Sequence, residues 1–294
     1  MKTSFLWRSM LYVPSNNEKF LNKANQRGAD AIILDLEDSI PSADKPAARR
    51  GLDDAVKTVS SDETSVLVRI NRPLTDAISD IIAATLTGVD ALMLPKIESS
   101  DHLLLLEEVL SGQEEAKGIE LGSIKLVPMI ETAKGYFRME EIANASSRNV
   151  GMTLGGEDFA LETGMVPDED TLFLASQKVV YASRSAKIMP LGTIGTVADY
   201  SDLGKYKKSA AKSRRFGFEG AACIHPSIIN ILNEEFSPKK EEVIMARRII
   251  EAYEKAIRQG VGAISLDGQM IDVPVAERAR KTLKIHAQLK EKTG

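Results

Sequence analysis

Short apolar runs rich in β-branched residues alternate along the chain with longer amphipathic stretches, the pattern of repeated strand–helix units around a parallel sheet. Eight runs read as strands: Ser9–Val13, Ala31–Leu36, Ser65–Ile70, Ala91–Leu94, Ile124–Ile130, Val150–Leu154, Met189–Gly192 and Ala221–Ile224. Their C-terminal ends lie about 23 to 37 residues apart, room for one helix per interval, so the pattern predicts a (β/α)8 TIM barrel. A doubly wound open sheet is the competing architecture. It would carry a glycine-rich phosphate turn after the first strand, where this chain has Pro14-Ser-Asn-Asn17. After the eighth run come a helical stretch from Pro238 to about Gln259, a loop containing Gly260, Gly262 and Gly268, and a last helical stretch from about Val275 to Lys290. The chain therefore reads as a barrel over residues 1–236 and a C-terminal helical extension over residues 237–294.

Composition narrows the class without changing this picture. With 38 Lys plus Arg against 42 Asp plus Glu, a net charge of −4 and 43% apolar residues, the chain fits a globular protein. It lacks the basic stripe that a nucleic-acid grip needs. One cysteine, Cys223, excludes an internal disulfide and a cysteine-held zinc or iron–sulfur site, and fits a reducing cytoplasm. The start, Met1 to Arg8, holds too short an apolar run for a signal peptide, and no stretch reaches the roughly 18 apolar residues of a membrane span. A cytoplasmic protein is expected.

In such barrels the chemistry sits where strands end, so polar residues directly after apolar runs carry the information. They are Asp35-Leu-Glu37-Asp38, Arg69-Ile-Asn71, Pro95-Lys96-Ile-Glu98, Glu131-Thr132 and Gly155-Gly156-Glu157-Asp158. Glu131 and Asp158 come from adjacent strand ends and can converge on one hard divalent cation, since magnesium commonly uses one or two protein carboxylates. The plainer alternative is that each caps the helix that follows. Arg69 should point into the barrel near its mouth, either paired with Glu37 or Asp38 or offering its planar fork to a substrate carboxylate. At least one acid of the Asp35 to Asp38 cluster should answer Arg69 or Lys96, or support the cation. His225 reads as a helix lead-in before Pro226, and His102 and His286 as solvated.

Taken together, these segments resemble the citrate lyase β-subunit family of the HpcH/HpaI aldolase superfamily over nearly the whole chain. The resemblance rests on Arg8-Ser-Met-Leu-Tyr-Val-Pro14, Asp35-Leu-Glu-Asp38, Val68-Arg-Ile-Asn71, Leu94-Pro-Lys96, Met129-Ile-Glu131, Leu154-Gly-Gly-Glu-Asp158, Ile224-His-Pro226 and Asp267-Gly-Gln-Met-Ile-Asp-Val-Pro274. It implies Mg²⁺ held by Glu131 and Asp158, and Arg69 binding the carboxylate of a 2-oxo acid. It also implies coenzyme A contacts from Tyr12, Lys19 and Lys23, and cleavage of a 3-hydroxyacyl thioester into a 2-oxo acid and acetyl-CoA. Lys19 and Lys23 share one helix face, which solvation explains equally well. Asp272 would act as the acid that protonates the thioester enolate, reaching into a neighbouring subunit of a homotrimer or a dimer of trimers. Glu37 and Asp38 complete the candidate catalytic set. They stand where aldehyde-type aldolases carry a His, which argues against that branch. His225-Pro226 stands where citrate lyase subunits often show Asn-Pro, which favours a free acyl-CoA such as malyl-CoA or citramalyl-CoA. The alternatives are a citrate lyase β subunit acting on a citryl-carrier-protein thioester, and a catalytically silent regulatory protein that binds CoA and a dicarboxylate.

Overall fold

In the computed structural model, which describes residues 5–198 and 200–293, eight parallel strands run in the order β7-β6-β5-β4-β3-β2-β1-β8. Residues 1–4, the start of the stretch weighed as a leader, lie outside the described residues. The strands are β1 (Ser9–Pro14), β2 (Ala31–Asp35), β3 (Ser65–Arg69), β4 (Ala91–Leu94), β5 (Lys125–Ile130), β6 (Gly151–Leu154), β7 (Met189–Leu191) and β8 (Ala221–Cys223). A parallel bridge between Leu191 and Gly220, with the Gly192 N–H donating to the Gly220 carbonyl at 2.7 Å, draws β7 to β8 and closes the ring. This is the (β/α)8 barrel expected from the alternation.

Each strand is apolar on both faces because a parallel barrel buries both. The outward side chains Ile32, Leu34, Val66, Val68 and Leu126 pack under the helices. The inward ones, Met10, Ile33, Leu67, Met93, Val127 and Met129, fill the barrel itself. Strand alternation then sets the next inward position along each strand, beyond the last apolar layer. Those positions are Tyr12 on β1, Asp35 on β2, Arg69 on β3 and Glu131 after β5. Parallel register places Asp35 directly beside Arg69.

The chain divides into two units, with the boundary between Phe236 and Ser237. In the second, helices Lys240–Arg258 and Val273–Thr293 flank a two-stranded antiparallel hairpin of β9 (Ile264–Leu266) and β10 (Gln269–Ile271), where the sequence suggested only a glycine loop. Its turn uses Asp267 and Gly268, both at positive φ. Tyr253, Ile271 and Ala276 form a small core of their own. The last helix begins at Val273 rather than Val275, because Pro274 fits its first turn, where no backbone N–H is needed. No helix among the described residues is long and apolar enough to cross a membrane.

Candidate active site

The inward polar residues meet at a cavity of about 750 Å³ at the C-terminal end of the barrel, its lining drawn from residues 11–226. Arg69 dominates one wall. Its Nε and NH2 donate to the two oxygens of Asp35 at 2.7 and 2.8 Å, and NH1 donates to Asp38 at 3.1 Å. Glu37 Oε2 lies 3.0 Å from the same NH1 but off the N–H direction, and makes no hydrogen bond. The guanidinium carbon stacks 4.8 Å from the centre of the Tyr12 ring. The sequence left Arg69 open to pairing with Glu37 or Asp38. The structure adds Asp35 as its bidentate partner, because parallel register makes the two neighbours on the inner face. The Nε–NH2 edge of the guanidinium is taken by Asp35, and NH1 faces Asp38 and Glu37.

Glu131 and Asp158 line the same cavity. Glu131 is buried and accepts from the Lys96 backbone N–H at 2.8 Å. A Cβ at Gly155 would overlap the Glu131 carboxylate, so the first glycine of Gly-Gly makes room for it. Asp158 sits in the first turn of the helix Gly156–Thr163 rather than at the strand end, and pairs with Lys96 Nζ at 3.0 Å. Neither carboxylate serves as a helix cap: Thr132 caps the helix after Glu131, and no side chain caps the helix holding Asp158.

Other candidates fall at different depths. Lys23 lines the cavity from the helix Glu18–Ala24, while Lys19, one turn earlier, is exposed and outside the lining. Asp272 belongs to the second unit, where its carboxylate accepts from the Val275 N–H at 3.3 Å at the start of the last helix. His225 does cap the short helix Pro226–Ile228, and it also lines the cavity with its ring stacked on Tyr200 at 5.1 Å. His102 and His286 are half-buried rather than solvated. The His102 Nδ1 atom is enclosed without a partner.

Charge is unevenly tolerated here. Burial pushes the carboxyl of Glu37 up to about 8 and that of Glu131 up to about 7. Burial also opposes ionisation of Asp35, but hydrogen bonds and charge from Arg69 outweigh it and hold Asp35 below its ordinary value. Burial raises the Tyr12 hydroxyl well above the usual tyrosine range, so it stays neutral. A raised carboxyl makes the folded state bind protons that the unfolded state has lost. Its contribution is therefore present below the ordinary value of 4.5 and lost as pH climbs towards 7 and 8. His102, lowered by burial, works in the opposite sense, with stability lost as pH falls below its ordinary value of 6.5. A variant that keeps His102 cancels its contribution in the comparison. Thermal denaturation without divalent cations is expected to show Glu131→Gln losing less stability than wild type between pH 5 and 7. Parallel curves would contradict the raised value.

Comparisons with known proteins agree with this geometry. The family model of HpcH/HpaI aldolase/citrate lyase matches residues 8–226. Citrate lyase subunit beta of Leuconostoc mesenteroides subsp. cremoris is 34% identical over 288 residues, 97% of this chain and 95% of that one. The L-malyl-CoA/beta-methylmalyl-CoA lyase of Rhodobacter capsulatus is 32% identical over 295 residues, 92% of each. A crystal structure of CitE from Mycobacterium tuberculosis in complex with magnesium, acetoacetate and coenzyme A superposes with a TM-score of 0.76 at 28% identity, covering 97% of this chain and 98% of the other. With a barrel of matching architecture and matches that run nearly end to end, the chain belongs to the HpcH/HpaI aldolase/citrate lyase family.

Proposed function

We propose that this protein is a Mg²⁺-dependent carbon–carbon lyase that cleaves, or in reverse forms, a 3-hydroxyacyl-CoA such as malyl-CoA or citramalyl-CoA, with a 2-oxo acid and acetyl-CoA as the other side of the reaction. The observation that carries this reading is that Glu131, Asp158 and Arg69 line a single cavity, with Lys96 contacting both carboxylates. A pair of carboxylates fits magnesium, which fills its remaining positions with water and substrate oxygens. Among the described residues no group of three His, Cys, Asp or Glu side chains gathers as a metal cage. The lyase names of the relatives and the magnesium and coenzyme A in the CitE crystal support the same reading.

Glu131 and Asp158 would hold the ion, which when bound supplies Lewis-acid stabilisation to the oxygens of the 2-oxo acid. Arg69 receives the substrate carboxylate on its NH1–NH2 edge, with exposed Asp38 giving way and Asp35 keeping the guanidinium in plane. Glu37 and Asp38, the further carboxyl groups beside Arg69, are our candidates for moving the proton of the 3-hydroxyl as the bond breaks. Asp272 returns a proton to the acyl carbon that leaves. Tyr12, Lys23 and Lys19 face the coenzyme from the first strand and helix.

For Asp272 we propose the site of a neighbouring subunit, in a homotrimer or a dimer of trimers. Exposed Phe137, Leu161, Leu174 and Tyr181 on the barrel helices support an assembled state. Cytoplasmic residence is part of the same proposal. The identity to citrate lyase subunit beta keeps a second reading, action on a citryl-carrier-protein thioester, in view. Assay of 2-oxo acid release from free malyl-CoA and citramalyl-CoA, with Mg²⁺ or with a chelator, separates them. Release that needs Mg²⁺ is expected. A carrier-protein enzyme or a silent binding protein would release nothing.

Arg69→Lys tests the carboxylate contact. Lysine keeps the charge but loses the fork, so the KM for the 2-oxo acid in the condensation direction should rise about 10- to 100-fold. Wild-type kinetics would return Arg69 to a structural partner of Asp35.

A further inference from the structure

One residue touches both carboxylates. Lys96 follows β4 in a left-handed backbone conformation, φ 50°, uncommon for a side chain with a Cβ. That conformation aims its N–H at Glu131 Oε2, 2.8 Å away, while its ammonium reaches Asp158 Oδ1 at 3.0 Å. The segment has little freedom to relax. The Ile97 N–H donates to the Met129 carbonyl at 3.2 Å, and the Ile97 carbonyl packs so closely on Gly135 that a Cβ there would come within 2.6 Å of it. A strained conformation persists where its surroundings over-determine it. Here they hold the base of Lys96 between the two acids.

We propose that Lys96 is a positioning residue that acts as a built-in counter-ion: its backbone fixes Glu131, and its ammonium competes with the divalent cation for Asp158. This rests on the metal reading above and deepens it. An ammonium and a metal ion on one carboxylate repel each other, so the Lys96 contact opposes cation binding at Asp158. The Lys96 backbone bond to Glu131 does not involve the side chain, so Lys96→Met and Lys96→Arg retain it. Loss of the ammonium alone should therefore strengthen cation binding, whereas a merely structural role would predict weaker binding as the carboxylates splay.

The sign of the change is the test. Calorimetric titration of the whole protein with Mg²⁺, without substrate, should give Lys96→Met at least about tenfold tighter binding than wild type, a modest figure for one charge at a half-exposed contact. Lys96→Arg, which keeps the charge, should stay near wild type. Circular dichroism and thermal melting establish that each variant is folded. If folded Lys96→Met binds Mg²⁺ equally or more weakly, the counter-ion role is overturned while the metal site stands. If neither wild type nor variant binds Mg²⁺, the metal reading itself falls, and the inference with it.

Discussion

Glu131→Gln is expected to abolish turnover while leaving the barrel folded. Glutamine preserves the volume of the buried side chain, and its carbonyl oxygen can still accept from the Lys96 N–H, so the wall of the cavity keeps its shape. What disappears is the negative charge, in a place where burial makes each charge count for more than it would in water. A neutral amide is a poor ligand for a hard cation beside a single remaining carboxylate. Loss of Lewis-acid stabilisation should lower kcat by about 10³-fold or more. Asp158→Asn should behave alike, with a smaller effect on stability because Asp158 is half-buried. Calorimetry checks the cause, since both variants should lose measurable Mg²⁺ binding. Unchanged affinity in both would remove these residues from the metal site.

The second large effect joins the C-terminal unit to catalysis. Just before its own helix the Asp272 carboxylate accepts a long hydrogen bond from the Val275 N–H, a cap whose loss costs about 1 kcal/mol. A cap alone cannot account for loss of activity. If the carboxyl completes the site of a neighbouring subunit, Asp272→Ala should be inactive although folded. Mixed with inactive Glu131→Gln, then dissociated and reassembled, it should regain part of the activity. Some sites would then receive an intact Glu131–Asp158 pair from one chain and an intact acid from another. Two parents that stay inactive after verified exchange of subunits would mean that Asp272 works within its own chain or not at all.

The barrel was legible because each strand is buried on both faces and reads as a short apolar run. The same parity that buries Leu67 and Met129 delivers Arg69 and Glu131 to the mouth. Finer choices depended on geometry that spacing does not encode. Asp35, Glu37 and Asp38 look equivalent as a run. Only inner-face parity and the register with β3 single out Asp35 for the Arg69 fork. Asp158 reads as the end of a strand, but the chain turns into a helix at Gly156 and carries it there. Lys96 looked like one more polar residue after a strand. Its grip on both carboxylates depends on a positive φ that no lysine advertises. The β9–β10 hairpin is not legible in the sequence because its strands are three residues long and its turn has the composition of a loop.

The most direct test of the whole account runs the reaction backwards. The purified protein is incubated with Mg²⁺, acetyl-CoA or propionyl-CoA, and a panel of glyoxylate, pyruvate and oxaloacetate, and the condensed thioesters are identified by mass spectrometry. The expected result is a 3-hydroxyacyl-CoA product with at least one small 2-oxo acid, formed only with Mg²⁺ present and absent in Glu131→Gln. No condensed thioester from any free CoA substrate, with the protein folded and Mg²⁺ bound, would contradict it.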